Sequence, residues 1–419
     1  MLDLLKGVRV IENALLLNGD MLGMQFVGLG AEVIKMEDTG AGDYLRNILT
    51  QFAPGRSPAH LHVNKNKKSI AVNVKTPQGK EIFWRLLATT DIYLDGLRAG
   101  ASDRLGIGYD AQRAVKPDII YVQHTGYGAS GPYAAIPTHG VQMNALAGGM
   151  PGKLGPDGHV VWEKGSQYLG GSEETSSPTM LGALHAAMAA IAALVQRNRT
   201  GEGAYIDVAA ADALIATSWM GVLYNLNYEK ITNFTGFEQR TPDYRYDHKW
   251  PKGSARYELY PTQDGKIMLF CAIEKKFWDA FCHAVERPDL IDTMTPGLAV
   301  DYGADKPWLR DALRDIFAAK PQAYWVELAA RVGIPMGPAP TLPELPHDPH
   351  LQTRDIFYQA QDPEAGPHLE IDFPAVVAGH KQARAAPAPN QGQHTAEVLA
   401  MVGYDASDID DLKAAGVVR

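Results

Sequence analysis

Short apolar runs alternate with helical periodicity through the first 130 residues. The runs predict strands at 8–12, 30–37, 68–74, 91–95 and 119–123, and the periodic segments predict helices at 21–29 and 77–88. Such alternation is typical of a parallel sheet whose strands are joined by right-handed helical crossovers. This part of the chain is therefore predicted to be a doubly wound α/β domain.

The pattern changes further along the chain. A Gly-, Pro- and Ser-rich stretch at 148–177 is predicted to be a long loop, followed by an Ala-rich helix from about 179 to 198 and a strand at 205–208. Beyond residue 215, an Asp-Gly turn joins apolar runs at 257–260 and 266–270, and helical patterns follow at 276–286, 307–319 and 321–332. We therefore predict a large domain over 1–215, a smaller α+β domain over 216–334, and a C-terminal part over 335–419 that begins with a proline-rich linker at 335–349.

Composition narrows the class of function. The 419 residues carry 39 Lys and Arg against 48 Asp and Glu, a net charge of −9, which argues against a nucleic-acid partner. Two cysteines provide neither a disulfide framework nor a four-cysteine zinc site, and we predict no metal centre. No uninterrupted apolar stretch of ~18 residues and no leader pattern occurs, so no membrane association is predicted. These features are typical of a cytoplasmic enzyme that acts on a small molecule.

Cationic residues offer candidate ligand groups. The run Asn64-Lys65-Asn66-Lys67-Lys68 is the densest positive patch, and Arg98 and Arg104 flank Gly100 after a predicted strand. The run is either a solvated loop or a site for a phosphorylated ligand, since Lys and Arg both bind phosphate. The arginines follow a strand end, where α/β folds bind their ligands. The phosphate-binding G-x-x-x-x-G-K-[ST] motif is missing from the sequence.

A series of motifs, taken together, resembles the class III CoA-transferases, a family that also contains α-methylacyl-CoA racemases. The matching segments are Leu5–Glu12, Gly30–Glu37 with Gly42-Asp43 and Arg46, Asn64–Ile70, Arg98–Gly100 with Arg104-Leu-Gly106, Gly126–Tyr133, Arg197–Gly203, Gly333–Pro335, Gly392–His394 and Gly403-Tyr404. The matches keep the family's order over nearly the whole chain.

The resemblance implies a fold and a ligand. It implies a Rossmann-like large domain with a parallel sheet assembled from both ends of the chain, a smaller domain, and two protomers interlocked as rings. It also implies a CoA thioester as substrate, with no permanently bound cofactor. The residues carried over as neighbours of CoA are Lys67, Lys75, Arg98, Gly100 and Arg104.

One departure concerns the nucleophile. Family transferases use an aspartate at the start of the long helix to attack the thioester carbonyl, and in this register that position holds Thr179. A threonine hydroxyl stays protonated at neutral pH and cannot simply replace a carboxylate. Glu173 and Glu174, just upstream, are either solvated charges or a displaced nucleophile or base. Asp20 stands where the family has a proline, and we expect it to cap the following helix.

His139 favours a different chemistry, because in this register it meets the catalytic histidine of the racemases. It is either a lone pocket histidine or a base for the proton α to a thioester. Three functions follow: CoA transfer between carboxylic acids, as a homodimer or as the Asp-lacking subunit of a heteromer with a related subunit; racemisation, epimerisation or isomerisation of acyl-CoA; and CoA-thioester binding without catalysis. The first is our prediction.

Overall fold

The structure is a computed structural model, and it describes residues 1–48, 50–150, 152–162, 176–230, 254–304, 306–380 and 382–419. These residues form two compact units. The first contains Met1–Leu223 and Asp355–Arg419, and the second contains Tyr224–Arg354. The boundaries therefore lie later in the chain than the predicted 215/216 and 334/335.

A six-stranded parallel sheet is the centre of the first unit, within the described residues. Its strands, in spatial order, are β3 (Lys68–Ala71), β2 (Glu32–Glu37), β1 (Arg9–Asn13), β4 (Ile92–Asp95), β5 (Ile120–Thr125) and β8 (Ala204–Ala209). The strand order reverses between β1 and β4, as in doubly wound dinucleotide-binding folds. The predicted α/β class and its strands are confirmed.

Helices cover both faces of this sheet. The helices of the first unit are α1 (Leu16–Gly28), α2 (Pro58–Asn64), α3 (Pro77–Leu87), α4 (Ala101–Leu105), α5 (Tyr109–Val115), α6 (Gly140–Leu146), α7 (Ser176–Thr200), α8 (Ala210–Thr217), α14 (Thr395–Met401) and α15 (Ala406–Ala414), while α9 (Trp219–Leu226) runs across the first boundary. On one face, α1 and α7 bury Phe26 and Ala190. On the other, α3 and the two C-terminal helices bury Phe83, Leu399 and Ile409.

The C-terminal segment is tied to the edge strand β3. Asn73 N donates to Val417 O at 2.8 Å, and Ser69 N donates to His394 Nδ1 at 3.1 Å. Two hairpins complete the first unit: β6 (Gly152–Leu154) with β7 (Val160–Trp162), and β12 (Phe357–Asp362) with β13 (Gly366–Ile371).

Helix α7 is the longest helix in the described residues. Residues 177–200 are apolar and long enough to cross a bilayer by length and composition, and half of the most apolar window is buried inside the protein. Buried alanines at 183, 186 and 190 pack this helix against α1 and the sheet. A central helix of a globular domain has the same composition, because small residues allow close packing on both sides.

The second unit has its own aromatic core. Its elements are β9 (Glu258–Pro261), β10 (Ile267–Phe270), α10 (Lys275–Ala284), α11 (Pro307–Ala318), α12 (Gln322–Val332), β11 (Met336–Pro338) and α13 (Pro349–Arg354). Trp278, Phe281 and Phe317 are fully buried in its core. The predicted hairpin and all three helices are confirmed.

The prediction of a plain linker at 335–349 is wrong. The stretch contains β11, which pairs with β10, and a short 3-10 helix at Leu342–His347. Strand β11 lies at the edge of its sheet, where a strand tolerates proline because one side needs no ladder hydrogen bonds.

Candidate functional site

A crevice opens at the carboxyl ends of the first four sheet strands. It has a volume of about 460 Å³ and is lined mainly by residues at or just after the strand ends. These are Asn13–Leu15 at β1, Met36–Thr39 at β2, Val72–Lys75 after β3 and Leu97 after β4, together with Leu105 of α4. This crevice includes the point between β1 and β4 where the strand order reverses. Open α/β sheets bind their ligands there, because the loops on the two sides diverge and leave a gap.

Three cations surround the crevice. Lys75 is exposed and lines it, while Arg98 and Arg104 are exposed and adjoin the lining residues Leu97 and Leu105. None of the three forms an ion pair within the described part of the chain. The structure therefore brings three unneutralised positive charges to one edge of the sheet.

Gly100 shapes the turn that carries the two arginines. Its φ is +73°, in the left-handed region that favours glycine, and it immediately precedes α4. A methyl group at this position would lie 3.2 Å from Arg104 Nη1. The exposed Arg104 side chain can move away from such a methyl group, so the left-handed backbone is the main reason for glycine at this position.

The structure places Lys67 elsewhere. Its side chain is fully buried, and its ammonium contacts Glu12 Oε2 at 2.6 Å and donates to Asp20 O and Asn64 Oδ1, each at 2.9 Å. An ammonium has three N–H donors, so all of them are used inside the protein. The expected contact with a CoA phosphate is therefore replaced by a structural role.

Lys67 belongs to a buried charge cluster of five residues, Glu12, Asp20, Lys35, Asp43 and Lys67. Lys35 Nζ lies 3.3 Å from Glu12 Oε1 and 2.9 Å from Asp43 Oδ2, and it also contacts the Asp20 carboxylate. Asp20 therefore lies inside α1 as a partner of Lys35, and the expectation that it caps this helix is wrong.

The cluster separates the pKa values of its two aspartates. Burial, only partly offset by Lys35, raises the pKa of Asp20 well above its ordinary value. Burial alone would also raise the pKa of Asp43, but the charge of Lys35 and hydrogen bonds to its carboxylate hold that pKa well below its usual range. Asp43 is thus the firmly ionised partner of Lys35.

Thr179 lies in the first turns of α7 and is 3% exposed. Its hydroxyl Oγ1 lies 3.5 Å from the Met21 sulfur of α1. Glu173 and Glu174, the two acids considered as alternatives, lie outside the described residues. The described residues around Thr179 therefore supply no evidence for a replacement carboxylate.

His139 is exposed on the turn just before α6. Its backbone N–H donates to Gln142 Oε1 at 2.7 Å, which fixes the start of the helix. Helix α6 packs against α7 and α8. No hydrogen bond between His139 and Thr179 occurs in the described structure, so the predicted roles of these residues stay predictions.

A histidine that the sequence did not single out, His124, lies against Gly182 of α7. His124 is the next-to-last residue of β5 and is fully buried, and neither ring nitrogen has a hydrogen-bond partner among the described residues. Burial lowers the pKa of His124 to about 4, so the ring is neutral at pH 7. Gly182, one helical turn after Thr179, makes room for it, since a methyl group there would lie 2.2 Å from Nε2.

The structure also contains a larger cavity of about 730 Å³ at the amino ends of β1 to β3. Most of its cations are paired: Arg56 with Glu364 at 3.2 Å, Lys67 with Glu12 at 2.6 Å, and Lys68 with Glu32 and Glu397, each at 2.7 Å, while Lys6 is exposed at its edge. Three unpaired cations lie at the carboxyl edge, which also contains the switch point of the sheet, and we therefore assign the ligand site to the crevice.

A doubly wound sheet with a crevice at its switch point and unpaired cations beside it is typical of the class of proteins that bind phosphorylated cofactors or substrates. Comparison with known proteins is more specific. Residues 5–395 match the sequence profile of CoA-transferase family III, and the chain belongs to that family.

Two curated relatives illustrate the range of the family. The chain is 32% identical to succinyl-CoA:glutarate CoA-transferase of Mus musculus, over 99% of this chain and 90% of the relative. It is 27% identical to the beta subunit of succinyl-CoA–L-malate CoA-transferase of Chloroflexus aurantiacus, over 99% and 98% of the two chains.

Solved structures agree on the fold. The crystal structure of an aspartate-to-alanine variant of Rv3272 from Mycobacterium tuberculosis superposes with a TM-score of 0.71 at 26% identity, covering 94% of this chain and 98% of the other.

The sequence missed the buried charge cluster and His124. A charged residue within a central parallel strand was the available signal, because such strands are covered on both faces and are normally apolar throughout. Glu12 of β1 and Lys35 of β2 both break that rule. The burial of His124 could not be predicted from the sequence, because polar residues near a strand end are often exposed.

Proposed function

We propose that the chain binds a CoA thioester in the carboxyl-edge crevice and takes part in transferring CoA between carboxylic acids. The observation that carries the proposal is the set of three unpaired cations, Lys75, Arg98 and Arg104, at the switch point of the sheet. CoA carries three phosphate groups, and cationic side chains bind phosphate through charge-assisted hydrogen bonds. That the CoA ligand is a thioester is inferred from membership of CoA-transferase family III.

The chemistry needs a carboxylate that this chain lacks at the expected position. In the transfer, a carboxylate oxygen bonds to the acyl carbon, the carbon–sulfur bond breaks and CoA leaves as the thiolate. At position 179, where the family transferases have their aspartate, the chain has a threonine hydroxyl, which stays protonated at neutral pH. We therefore propose that the chain works as the Asp-lacking subunit of an interlocked heteromer, whose related partner supplies the carboxylate. A relative named as a beta subunit supports this assembly.

Restoring the missing carboxylate tests the proposal. The purified chain is expected to bind succinyl-CoA but to transfer CoA to dicarboxylic acids very slowly. Thr179→Asp is expected to raise the transfer rate at least about a hundredfold, because it places a nucleophile at the start of α7. Thr179→Asn is the matched control, since it has the same shape without the charge.

Three outcomes would overturn parts of the proposal. Absence of succinyl-CoA binding would overturn the ligand assignment. Fast transfer by the unmodified chain alone would overturn the heteromer. Equal rates for Thr179→Asp and Thr179→Asn, with binding intact, would overturn position 179 as the site of the lost nucleophile.

A further inference from the structure

The turn between β1 and α1 contains a leucine in an unusual conformation. Leu16 has a φ of +60°, in the left-handed region that side chains with a Cβ disfavour. The turn forms one wall of the crevice through Asn13, Ala14 and Leu15. Folds of this class normally place glycine in the first turn after β1, so that the backbone can approach a ligand. Here residues 14–17 are Ala-Leu-Leu-Leu.

Two members of the buried charge cluster hold this turn from both sides. Lys35 Nζ donates to Ala14 O at 3.1 Å, and the Leu16 N–H faces both carboxylate oxygens of Asp43, at 3.2 and 3.3 Å. Lys35 and Asp43 are themselves joined at 2.9 Å. The Ala14 carbonyl and the Leu16 N–H, on the two sides of Leu15, are therefore both hydrogen-bonded to the same buried ion pair.

The other contacts of the pair keep it rigid. Asp43 Oδ1 also accepts from Leu45 N at 2.9 Å, and Lys35 also contacts Glu12 and Asp20. All four charged side chains are fully buried. Strained backbone persists only where the surroundings over-determine it, and such residues concentrate at ligand sites.

We propose that the Lys35–Asp43 ion pair is a clamp that holds the β1–α1 turn, with Leu16 left-handed, in the shape that admits CoA to the crevice. Lys35 and Asp43 are positioning residues, because they contact the turn, whereas the backbone of the turn contacts the ligand. The buried pair takes over the role that glycine has in related turns. This inference rests on the proposed CoA site.

Relief of the strain provides the test. Asp43→Ala is expected to weaken binding of free CoA, measured by titration calorimetry, about tenfold, equivalent to about 1.4 kcal/mol. Adding Leu16→Gly to Asp43→Ala should restore affinity to within about threefold of the unmodified chain, because glycine adopts the left-handed conformation without the clamp. Adding Leu16→Ala removes the same side chain but keeps a Cβ, and it should not restore binding.

A control variant away from the turn distinguishes loss of the clamp from the general effect of removing a buried charge. Asp362→Ala removes a buried carboxylate that lies 3.5 Å from Arg56, and it should leave CoA affinity unchanged. Circular dichroism and thermal unfolding confirm that each variant is folded. If Asp43→Ala fails to fold, Asp43→Leu, which has nearly the same shape and no acceptor, allows the same comparison of Leu16→Gly with Leu16→Ala.

The outcomes are distinct. An unmodified chain that does not bind CoA overturns the proposed function. If the unmodified chain binds CoA, full affinity in Asp43→Ala, or equal effects of glycine and alanine at position 16, overturns the clamp. Rescue by glycine alone establishes it, since a residue with a merely structural role would give no such selectivity.

Discussion

Lysines that are close in the sequence differ in whether their charge is paired inside the protein or left for a ligand. Lys67 donates all its hydrogen bonds to buried groups, whereas Lys75, eight positions later, has no ion pair within the described residues. Sequence alone could not distinguish the two lysines, because Glu12, the ion-pair partner of Lys67, lies in β1, 55 positions earlier in the chain. Positive charge is visible in a sequence, but its neutralisation depends on the tertiary structure.

Asp95 gives a residue-scale prediction on pH. It ends β4 almost fully buried and accepts a hydrogen bond from Tyr121 Oη at 2.5 Å. Burial raises the pKa of Asp95 to about 6, above the value in the unfolded chain. The native state therefore binds more protons between about pH 4 and 6, so the contribution of Asp95 to the free energy of unfolding falls as pH rises through this window.

The measurement is urea unfolding from pH 4 to 7. Relative to Asp95→Asn, the unmodified chain should lose stability up to about pH 6, by roughly 1–3 kcal/mol, and then remain level. Asp110→Asn, on an exposed residue of α5, is the control and should show no such trend. A constant difference between the unmodified chain and Asp95→Asn at every pH would contradict the account.

At the scale of elements, hydrophobic periodicity predicted the strands and most helices, because burial on both faces of a parallel sheet leaves a continuous apolar run. The edge strand β11 was missed, since its prolines indicate a linker and only its pairing with β10 makes it a strand. The approach of α7 to β5 could not be predicted either. This close approach requires Gly182 to face His124, and the two residues are 58 positions apart in the sequence.

That approach predicts the effect of a methyl group at position 182. Alanine normally stabilises a helix by about 1 kcal/mol relative to glycine. Gly182→Ala should instead lower the free energy of unfolding by about 1–3 kcal/mol, because its Cβ overlaps the His124 ring. In the His124→Ala background the same substitution should be neutral or stabilising. Unfolding by urea measures both, and stabilisation by Gly182→Ala in the unmodified chain would contradict the packing.

The whole molecule carries a net charge of −9, yet it leaves three exposed cations unpaired around one crevice. This local reversal of charge attracts a polyanion and weakens with ionic strength, because salt screens exposed charges. The sequence indicated Arg98 and Arg104 through their position after a strand end, and the resemblance added Lys75 and identified the ligand. The clamp on the β1–α1 turn needed the structure, since its residues come from three separate segments.

Titration calorimetry with CoA and with pantetheine, which lacks the phosphates and the adenosine, tests the central claim most directly. The unmodified chain should bind CoA at least about a hundredfold more tightly than pantetheine, because several charge-assisted hydrogen bonds to phosphate add to binding. In the triple variant Lys75→Ala/Arg98→Ala/Arg104→Ala the ratio should fall below about tenfold. Lys6→Ala, at an exposed cation beyond the amino ends of the strands, should keep the full ratio. Equal affinities for CoA and pantetheine, or an unchanged ratio in the triple variant, would contradict the assignment of the crevice as the CoA site.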